Sequence, residues 1–205
     1  MNRRRFLTTL AGFAVAWNAT GLEASDKAAS GLVIVEAGRR VDAPGAEVAR
    51  FPSSNVGEVR QRIQQILARE KPIAFVSSAA CGADLLALDV AGDMHIRRKV
   101  LLPSQPEQFR KSSVTDRPGD WGMLYDKVLK TAKIEVLKVS DSQEGYLQTN
   151  LKLLDEAEVL AREYHTSTKA LVIWNETLRG PDDVTGHFLA QARLRRMPVL
   201  EISTL

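Results

Sequence analysis

Short apolar runs alternate with longer amphipathic stretches from Gly31 to the end of the chain. The runs are bounded by Gly, Pro or polar residues, which is typical of buried strands. They are Leu32–Val35, Ile73–Val76, Lys99–Leu102, Ile134–Val139, Ala170–Trp174 and Pro198–Ile202. The stretches between them place apolar residues at helical spacing. They are Val56–Arg69, Gly82–Val90, Trp121–Ala132, Leu147–His165 and Val184–Arg196.

Strands separated by helices predict an α/β fold with a mostly parallel sheet and helices on both faces. Right-handed crossovers make this a Rossmann-like, doubly wound domain. No internal repeat and no Ser/Gly-rich linker divides the chain, so residues 31–205 are predicted to form a single domain. Ligands of such sheets bind outside the carboxyl ends of the strands. The loops expected to hold the site are therefore 36–50, 77–84, 103–120, 140–146 and 175–186.

Residues 1–24 have the layout of an export signal. Arg3, Arg4 and Arg5 precede an uncharged apolar run, Phe6–Ala16, which is too short to span a bilayer. The start, Arg3-Arg4-Arg5-Phe6-Leu7, resembles a twin-arginine motif. We expect periplasmic export of the folded domain, with no transmembrane span in the mature chain. The alternative is a cytoplasmic protein, with a start codon placed too early or with an amphipathic helix at its start that packs on the domain.

Charge and cysteine content narrow the function classes. The 205-residue chain has a formal net charge of +3, and the three arginines of the head account for most of it. Outside the head, the chain is nearly neutral and its basic residues are scattered. We therefore predict that it has no nucleic-acid partner. The single Cys81 excludes an intrachain disulfide, and the three histidines lack metal-ligand spacing. No protein metal site is predicted, although a nucleotide-derived ligand could bring Mg²⁺.

The turn from Ser77 to Asp84 is made of small residues and leads from a strand into a helix. Such a turn either lets a phosphate approach the unpaired amides of the helix, or is a tight turn capped by Asp84 or Ser78. A helix start can also lower the pKa of the Cys81 thiol and make it a nucleophile. The alternative is a small buried cysteine.

Two further loops contribute candidates. In the stretch 175–186, Asp183 is expected to cap the next helix, and Asp182 and Asp183 are candidates for acid, base or metal chemistry. Arg39 and Arg40, after the first strand, could clamp an anion, or lie in a solvated loop with a salt bridge to Asp42. The stretch 109–114 could form a similar basic loop.

Several short motifs, in this order and spacing, resemble a branch of the SLOG superfamily. These are Rossmann-like domains related to DprA proteins and to LOG-type phosphoribohydrolases. The resemblance runs from Leu32 to Ile202. It rests on Gly38, on the stretches 41–45, 50–52, 80–86, 101–103 and 113–114, on Phe109, Asp120, Trp121, Asn150, Leu153, Leu154 and Trp174, and on Gly180, Pro181 and Thr185.

The resemblance implies a pocket for a nucleotide or nucleotide-derived ligand. The predicted binding residues are Gly38, Arg39, Ser78, Cys81, Gly82, Ala83, Asp84, Gly180 and Thr185, and the catalytic candidates are Asp84, Asp182 and Asp183. The chain departs from the family at Arg39, where a His is usual. It also lacks the glycines and the glutamate of the LOG motif P-G-G-x-G-T-x-x-E, since Phe188 stands where the Glu would follow Thr185. These departures argue against phosphoribohydrolase chemistry and phosphate contact at this loop.

Three functions follow as hypotheses. The first is a sensor domain that binds a nucleotide-type ligand without turnover. The second is a hydrolase of a nucleotide N-glycosidic or phosphoanhydride bond. The third is an exported interaction protein that has lost nucleotide binding. Related domains often pair, so a homo-oligomer is a further expectation.

Overall fold

The computed structural model describes residues 31–205, which form six strands and six α-helices with one short 3₁₀ turn at Ser53–Asn55. The strands are Leu32–Gly38 (β1), Ala74–Ser77 (β2), Arg97–Leu102 (β3), Lys133–Val136 (β4), Ser167–Trp174 (β5) and Val199–Ser203 (β6). The helices are Val56–Glu70 (α1), Ala83–Asp93 (α2), Pro106–Ser113 (α3), Trp121–Leu129 (α4), Gln143–Glu163 (α5) and Val184–Leu194 (α6). The six predicted strands and five predicted helices are confirmed in their order, and α3 is an additional helix.

The six strands form one parallel sheet with the order β4-β3-β2-β1-β5-β6. The chain first adds strands on one side of β1 and then crosses to add β5 and β6 on the other. The order reverses between β1 and β5, so the loops after these two strands diverge and leave a crevice. The predicted doubly wound α/β class is confirmed.

Alternate residues of the central strand face two separate cores. Leu32 and Ile34 pack under α1, α2 and α4, whereas Val33 and Val35 pack under α5 and α6. This alternation explains the continuous apolar run of β1, because a parallel strand covered on both faces buries every side chain.

The largest differences from the sequence-based expectation lie in two predicted loops. The stretch 103–120 contains α3, which begins with Pro106 at its first turn and buries Phe109 and Ser113 four residues apart. The predicted loop 140–146 contains the start of α5, where the Ser142 side chain accepts a hydrogen bond from the Gly145 amide at 3.3 Å. The eight residues of α3 carry too short a periodic pattern to predict a helix, and α5 begins four residues before the predicted start, at the Ser142 cap.

The predicted export signal, residues 1–24, lies outside the described residues. Within residues 31–205, no helix combines the length and apolar character needed to cross a membrane.

Candidate functional site

A cleft of about 570 Å³ opens at the carboxyl ends of β1 and β5. It lies at the point where the strand order reverses, as expected for a ligand site of this fold. Its walls come from the loops after β1, β2, β3 and β5 and from the starts of α5 and α6. The polar and charged residues that line it are Arg39, Arg40, Asp42, Arg50, Ser78, Asp84, Ser113, Arg117, Gln143, Tyr146, Thr149, Asn150, Arg179, Asp183 and Thr185.

The Asp84 carboxylate closes the turn between β2 and α2. It accepts hydrogen bonds from the amides of Gly38 and Ala80, both at 3.2 Å, and from the Ser78 hydroxyl at 2.6 Å. The amides of Cys81 and Ala83 are bonded to the carbonyls of Ser113 and Arg39. The turn therefore matches the tight-turn alternative but not its cap: no side chain caps α2, whose first amide, that of Ala83, donates to a backbone carbonyl, and Asp84 instead bonds amides that lie outside the helix.

Burial brings Asp84 close to a second acid. Glu36 lies inside β1 and is fully buried; one carboxylate oxygen accepts from Ser77 Oγ at 2.8 Å, and the other, Oε1, has no partner. Desolvation, with repulsion from Asp84, raises the pKa of Glu36 well above its usual value. Desolvation also raises the pKa of Asp84 to about 6, against the lowering by its hydrogen bonds. Burial thus raises the pKa of both carboxyl groups.

Asp183 closes the start of α6 in a similar way. Its side chain caps the helix by accepting from the Gly186 amide at 3.1 Å, which confirms the predicted cap. It also forms a bidentate ion pair with Arg39, at 2.5 and 2.7 Å. Although burial acts in the opposite direction, the hydrogen bonds from Arg39 and from the Arg179 and Gly186 amides lower the pKa of Asp183 to about 2.

Arg39 is a buried residue, only 3% exposed. Besides Asp183, its guanidinium donates to the Thr177 carbonyl at 2.7 Å and to Asn175 Oδ1 at 3.0 Å, and it lies over the Trp174 ring. The alternative of a solvated loop paired with Asp42 is wrong, because Asp42 instead accepts from the Arg50 and Phe51 amides. Arg39 joins the loop after β5 to the end of β1.

Cys81 lies under the cleft and is 1% exposed. Its sulfur accepts from Arg40 Nε at 3.4 Å, and Arg40 also pairs with Asp116. The expected lowering of the thiol pKa is wrong, because burial raises it and outweighs the opposite effect of Arg40. The buried small-residue alternative fits Cys81 better than a nucleophile.

The outer part of the cleft is basic. Arg40 and Arg117 both pair with Asp116, whereas neither Arg50 nor Arg179 forms a side-chain hydrogen bond or salt bridge within residues 31–205. Arg50 belongs to the loop after β1 and Arg179 to the loop after β5, so the two come from opposite sides of the crevice. The cleft thus presents unneutralised positive charge to a ligand.

The α5 wall is uncharged and holds polar groups in fixed positions. The Tyr146 hydroxyl bonds to Asp141 and lies 3.3 Å from Ser113 Oγ. Thr149 donates to the carbonyl of Gly145 at 2.8 Å, and Asn150 Nδ2 donates to the Val184 carbonyl at 2.8 Å. Hydrogen bonds to the scaffold therefore fix the orientation of these side chains before any ligand binds.

The structure brings together only some of the predicted site residues. Gly38, Arg39, Ser78, Asp84, Asp183 and Thr185 line the cleft. Cys81, Gly82, Ala83, Gly180 and Asp182 do not, and the Asp182 side chain is exposed. Gly82 serves packing instead: it has a φ of +98°, and a Cβ there would lie 2.7 Å from the Arg39 carbonyl oxygen. Ligand contact by any of these residues stays a prediction.

Several lining residues were missed as individual site residues. Arg117, Tyr146, Thr149 and Arg179 are single polar residues in loops or on a helix, without a motif around them. The stretch 109–114 was expected to be a basic loop. It is instead the end of α3. Arg110 forms a salt bridge with Asp126 and does not line the cleft, whereas Phe109 and Ser113 do.

No cluster of three or more His, Cys, Asp or Glu side chains suited to a metal ion occurs in the described part of the chain. Asp84 and Asp183 line the cleft, but protein donors already hold both carboxylates. That a nucleotide-type ligand brings its own magnesium ion stays a prediction.

No family model and no curated protein sequence matches this chain. Solved structures do align with it. DNA processing protein A (DprA) from Streptococcus pneumoniae aligns at 14% identity and a TM-score of 0.40, over 83% of this chain and 58% of that protein. DprA from Helicobacter pylori, described by its single-stranded DNA binding mode, gives the same identity, TM-score and share of this chain, over 75% of its own length.

The molybdenum cofactor binding protein from Rippkaea orientalis aligns at 12% identity and a TM-score of 0.39, over 85% of this chain and 91% of that one. The chain thus spans little more than half of the S. pneumoniae protein.

The sequence-based exclusion of a nucleic-acid partner is wrong, because the H. pylori structure among these is described by single-stranded DNA binding. The exclusion rested on a near-neutral net charge averaged over the body of the chain. The fold instead gathers five arginines along one cleft: Arg39, Arg40, Arg50, Arg117 and Arg179. An averaged charge does not describe such a local field.

Proposed function

We propose that this protein is a SLOG-type domain that binds a nucleotide or nucleotide-derived anion and does not turn it over. The observation that carries the proposal is the cleft at the strand-order reversal, with the unpaired Arg50 and Arg179 at its lining. Its volume of about 570 Å³ lies within the usual range for small-molecule sites. The mix of basic, hydroxyl and apolar lining suits a ligand with an anionic end and a flat or sugar-like end.

Binding without turnover is supported by the state of the acidic residues. Asp183 is held by Arg39, and its pKa of about 2 leaves no proton to donate at neutral pH. Asp182 is outside the lining of the cleft. Asp84 is held by three hydrogen bonds that it would have to weaken in order to act on a ligand.

A thermal-shift panel on the full chain tests the proposal. The compounds are AMP, ADP, ATP, cyclic and linear dinucleotides, NAD and ADP-ribose, each with and without Mg²⁺. A ligand at one hundred times its Kd adds about 2.7 kcal/mol to the free energy of unfolding, or roughly 5–10 °C in Tm for a domain of this size. No shift with any compound at millimolar concentration would contradict the proposal.

A hydrolase is the second candidate, and Asp84 is the observation that favours it. A cleft carboxyl with a pKa of about 6 is suited to general acid or base catalysis near neutral pH. Steady release of base or phosphate by the wild type, abolished in Asp84→Asn and retained in Asp182→Asn, is the expected result for this alternative. No release above the uncatalysed rate removes it.

We also propose export through the twin-arginine-like start of the chain. Cell fractionation with mass spectrometry of the first residue provides the test. A periplasmic chain that begins near residue 25 is the expected result, and a full-length chain in the cytoplasm contradicts it. An extracytoplasmic chain that gives a flat nucleotide panel would favour the third hypothesis, a protein-interaction role.

A further inference from the structure

Two anion sites that this fold commonly offers are blocked by the protein itself. Helix starts at the carboxyl edge of a parallel sheet often hold phosphate through their free amides. Here the Asp183 carboxylate bonds the Gly186 amide of α6 and the Arg179 amide before it. At α2 the Ala83 amide donates to the Arg39 carbonyl, and the Asp84 carboxylate bonds the neighbouring amides of Gly38, at the end of β1, and of Ala80, in the turn before α2. A second anion at either position would meet a fixed negative charge.

The unneutralised charge of the cleft lies instead on Arg50 and Arg179. Arg39 forms a salt bridge with Asp183, and Arg40 and Arg117 both form salt bridges with Asp116. Within residues 31–205, the Arg50 and Arg179 guanidiniums are in no salt bridge, although both residues line the cleft. A planar guanidinium can donate two parallel hydrogen bonds to a phosphate or carboxylate.

Asn150 offers a polar group of the opposite kind. The residue is 4% exposed and lines the cleft. Its Nδ2 donates to the Val184 carbonyl at 2.8 Å, which fixes the orientation of the amide. Among the described residues, no side chain or backbone group donates a hydrogen bond to Asn150 Oδ1. The atom is also not among the fully buried polar atoms that lack a partner. Asn150 Oδ1 is therefore an oriented acceptor that a ligand donor can reach.

From these groups we infer how the ligand lies in the cleft. Its anionic group binds Arg50 and Arg179, and its uncharged part donates a hydrogen bond to Asn150 Oδ1. The ligand class is a nucleotide whose sugar hydroxyl or base amino group reaches the α5 wall while its phosphate stays between the loops after β1 and β5. This inference rests on the proposed function and adds the polarity of binding and the residues that set it.

Titration calorimetry on the full chain tests the inference, with AMP, ADP-ribose and NAD as charged probes and adenosine as the uncharged reference. Arg50→Gln and Arg179→Gln are each expected to weaken the charged probes by about tenfold or more, the range of a hydrogen bond to a charged group. They are expected to change adenosine affinity by less than twofold. Asn150→Leu is expected to weaken charged and uncharged probes by the same factor.

A matched control separates binding from folding. Arg162→Gln changes an exposed arginine at the end of α5, at the opposite edge of the sheet. It is expected to leave all affinities within about twofold. Thermal unfolding of every variant without ligand shows whether a loss of affinity comes from a loss of fold.

Salt provides a second readout if adenosine binds too weakly to measure. The affinity for the charged probes should fall between 50 and 300 mM NaCl, and the double variant Arg50→Gln/Arg179→Gln should lose most of this dependence. Charged probes that bind the wild type and both arginine variants equally well would overturn the inference alone. A wild-type protein that binds none of the probes would overturn the proposed function and the inference together.

Discussion

At the residue scale, two aspartates of the same cleft have opposite acid–base properties. Asp183 faces a buried guanidinium and has a pKa of about 2, whereas Asp84 lies beside buried Glu36 and has a pKa of about 6. Desolvation raises the pKa of Asp84 and outweighs its hydrogen bonds, whereas at Asp183 the hydrogen bonds from Arg39 and two amides outweigh desolvation. The sequence places an aspartate at each loop but does not show which charge faces it.

The Arg39–Asp183 pair gives the first prediction. Asp183→Asn keeps an effective helix cap but leaves the Arg39 guanidinium buried without a counter-charge. We expect a loss of about 3–5 kcal/mol in the free energy of unfolding, measured by urea denaturation. Asp182→Asn, at the exposed neighbouring position, is the matched control and should change it by less than about 0.5 kcal/mol.

This loss should depend on pH in a defined direction. The folded-state pKa of Asp183 is lowered, so its contribution is present above the unfolded value and is lost as the pH falls through about 2. The difference between wild type and Asp183→Asn should therefore narrow from pH 4 to pH 2. A constant difference over this range would contradict the ion pair as the source of the loss.

Asp84 gives the opposite dependence. Its folded-state pKa is raised to about 6, so ionisation destabilises the fold increasingly as the pH rises from near 4 through 6. Asp84→Asn removes this ionisation. Its free energy of unfolding relative to wild type should rise by about 1–3 kcal/mol between pH 4 and pH 7.5, whatever constant offset the lost hydrogen bonds cause. Parallel curves for the two proteins would show that Asp84 ionises normally.

At the element scale, the start of α2 is fixed by close packing against the backbone after β1. Gly82 has a φ of +98°, and a Cβ there would approach the Arg39 carbonyl oxygen and the Val41 amide nitrogen to 2.7 Å. The same contact brings Asp84 within reach of the Gly38 amide. The turn therefore fixes the position of Asp84 at the cleft, while Cys81, Gly82 and Ala83 are not among the lining residues.

A pair of glycine substitutions tests this role. Gly82→Ala should lower the free energy of unfolding by about 2–4 kcal/mol, because it combines a strained φ with a backbone clash. Gly57→Ala, in the exposed first turn of α1, meets nothing within 4 Å and should raise it by about 0.5–1 kcal/mol. Chemical denaturation of both variants provides the measurement, and equal effects would contradict the packing role.

At the scale of the whole molecule, the central strands are the best protected and the edges the least. β1 pairs with both β2 and β5 and has its first six residues buried, whereas β4 pairs only with β3 and is largely exposed. The cleft lies at the carboxyl end of this best-buried strand.

Hydrogen exchange measures this gradient. Amides of Val33–Val35 should exchange at least about 100-fold more slowly than those of Lys133–Val136, because opening β1 requires both cores to separate. Equal protection of the two segments would contradict the gradient for an isolated chain. Protection of β4 that falls on dilution would instead support the predicted homo-oligomer, with a second chain covering that edge.

The pattern of apolar runs was enough to predict the fold class and the succession of most elements. Period-two and period-3.6 patterns are local, and a strand buried on both faces is a continuous apolar run that can be recognised from the chain alone. The strand ends also predicted which edge of the sheet carries the cleft. The helix at Pro106–Ser113 was missed because eight residues with two buried positions carry little periodic signal.

The sequence by itself determined the α/β class, the cap at Asp183 and the strand-end loops that line the cleft, since each depends on neighbouring residues. Only the tertiary structure decided the charges within the cleft. It paired Arg39 with Asp183 across 144 residues and left Arg50 and Arg179 unpaired, and it placed Glu36 near Asp84. Pairing, burial and pKa depend on distances between segments far apart in the chain, which the strand order sets and no local pattern contains.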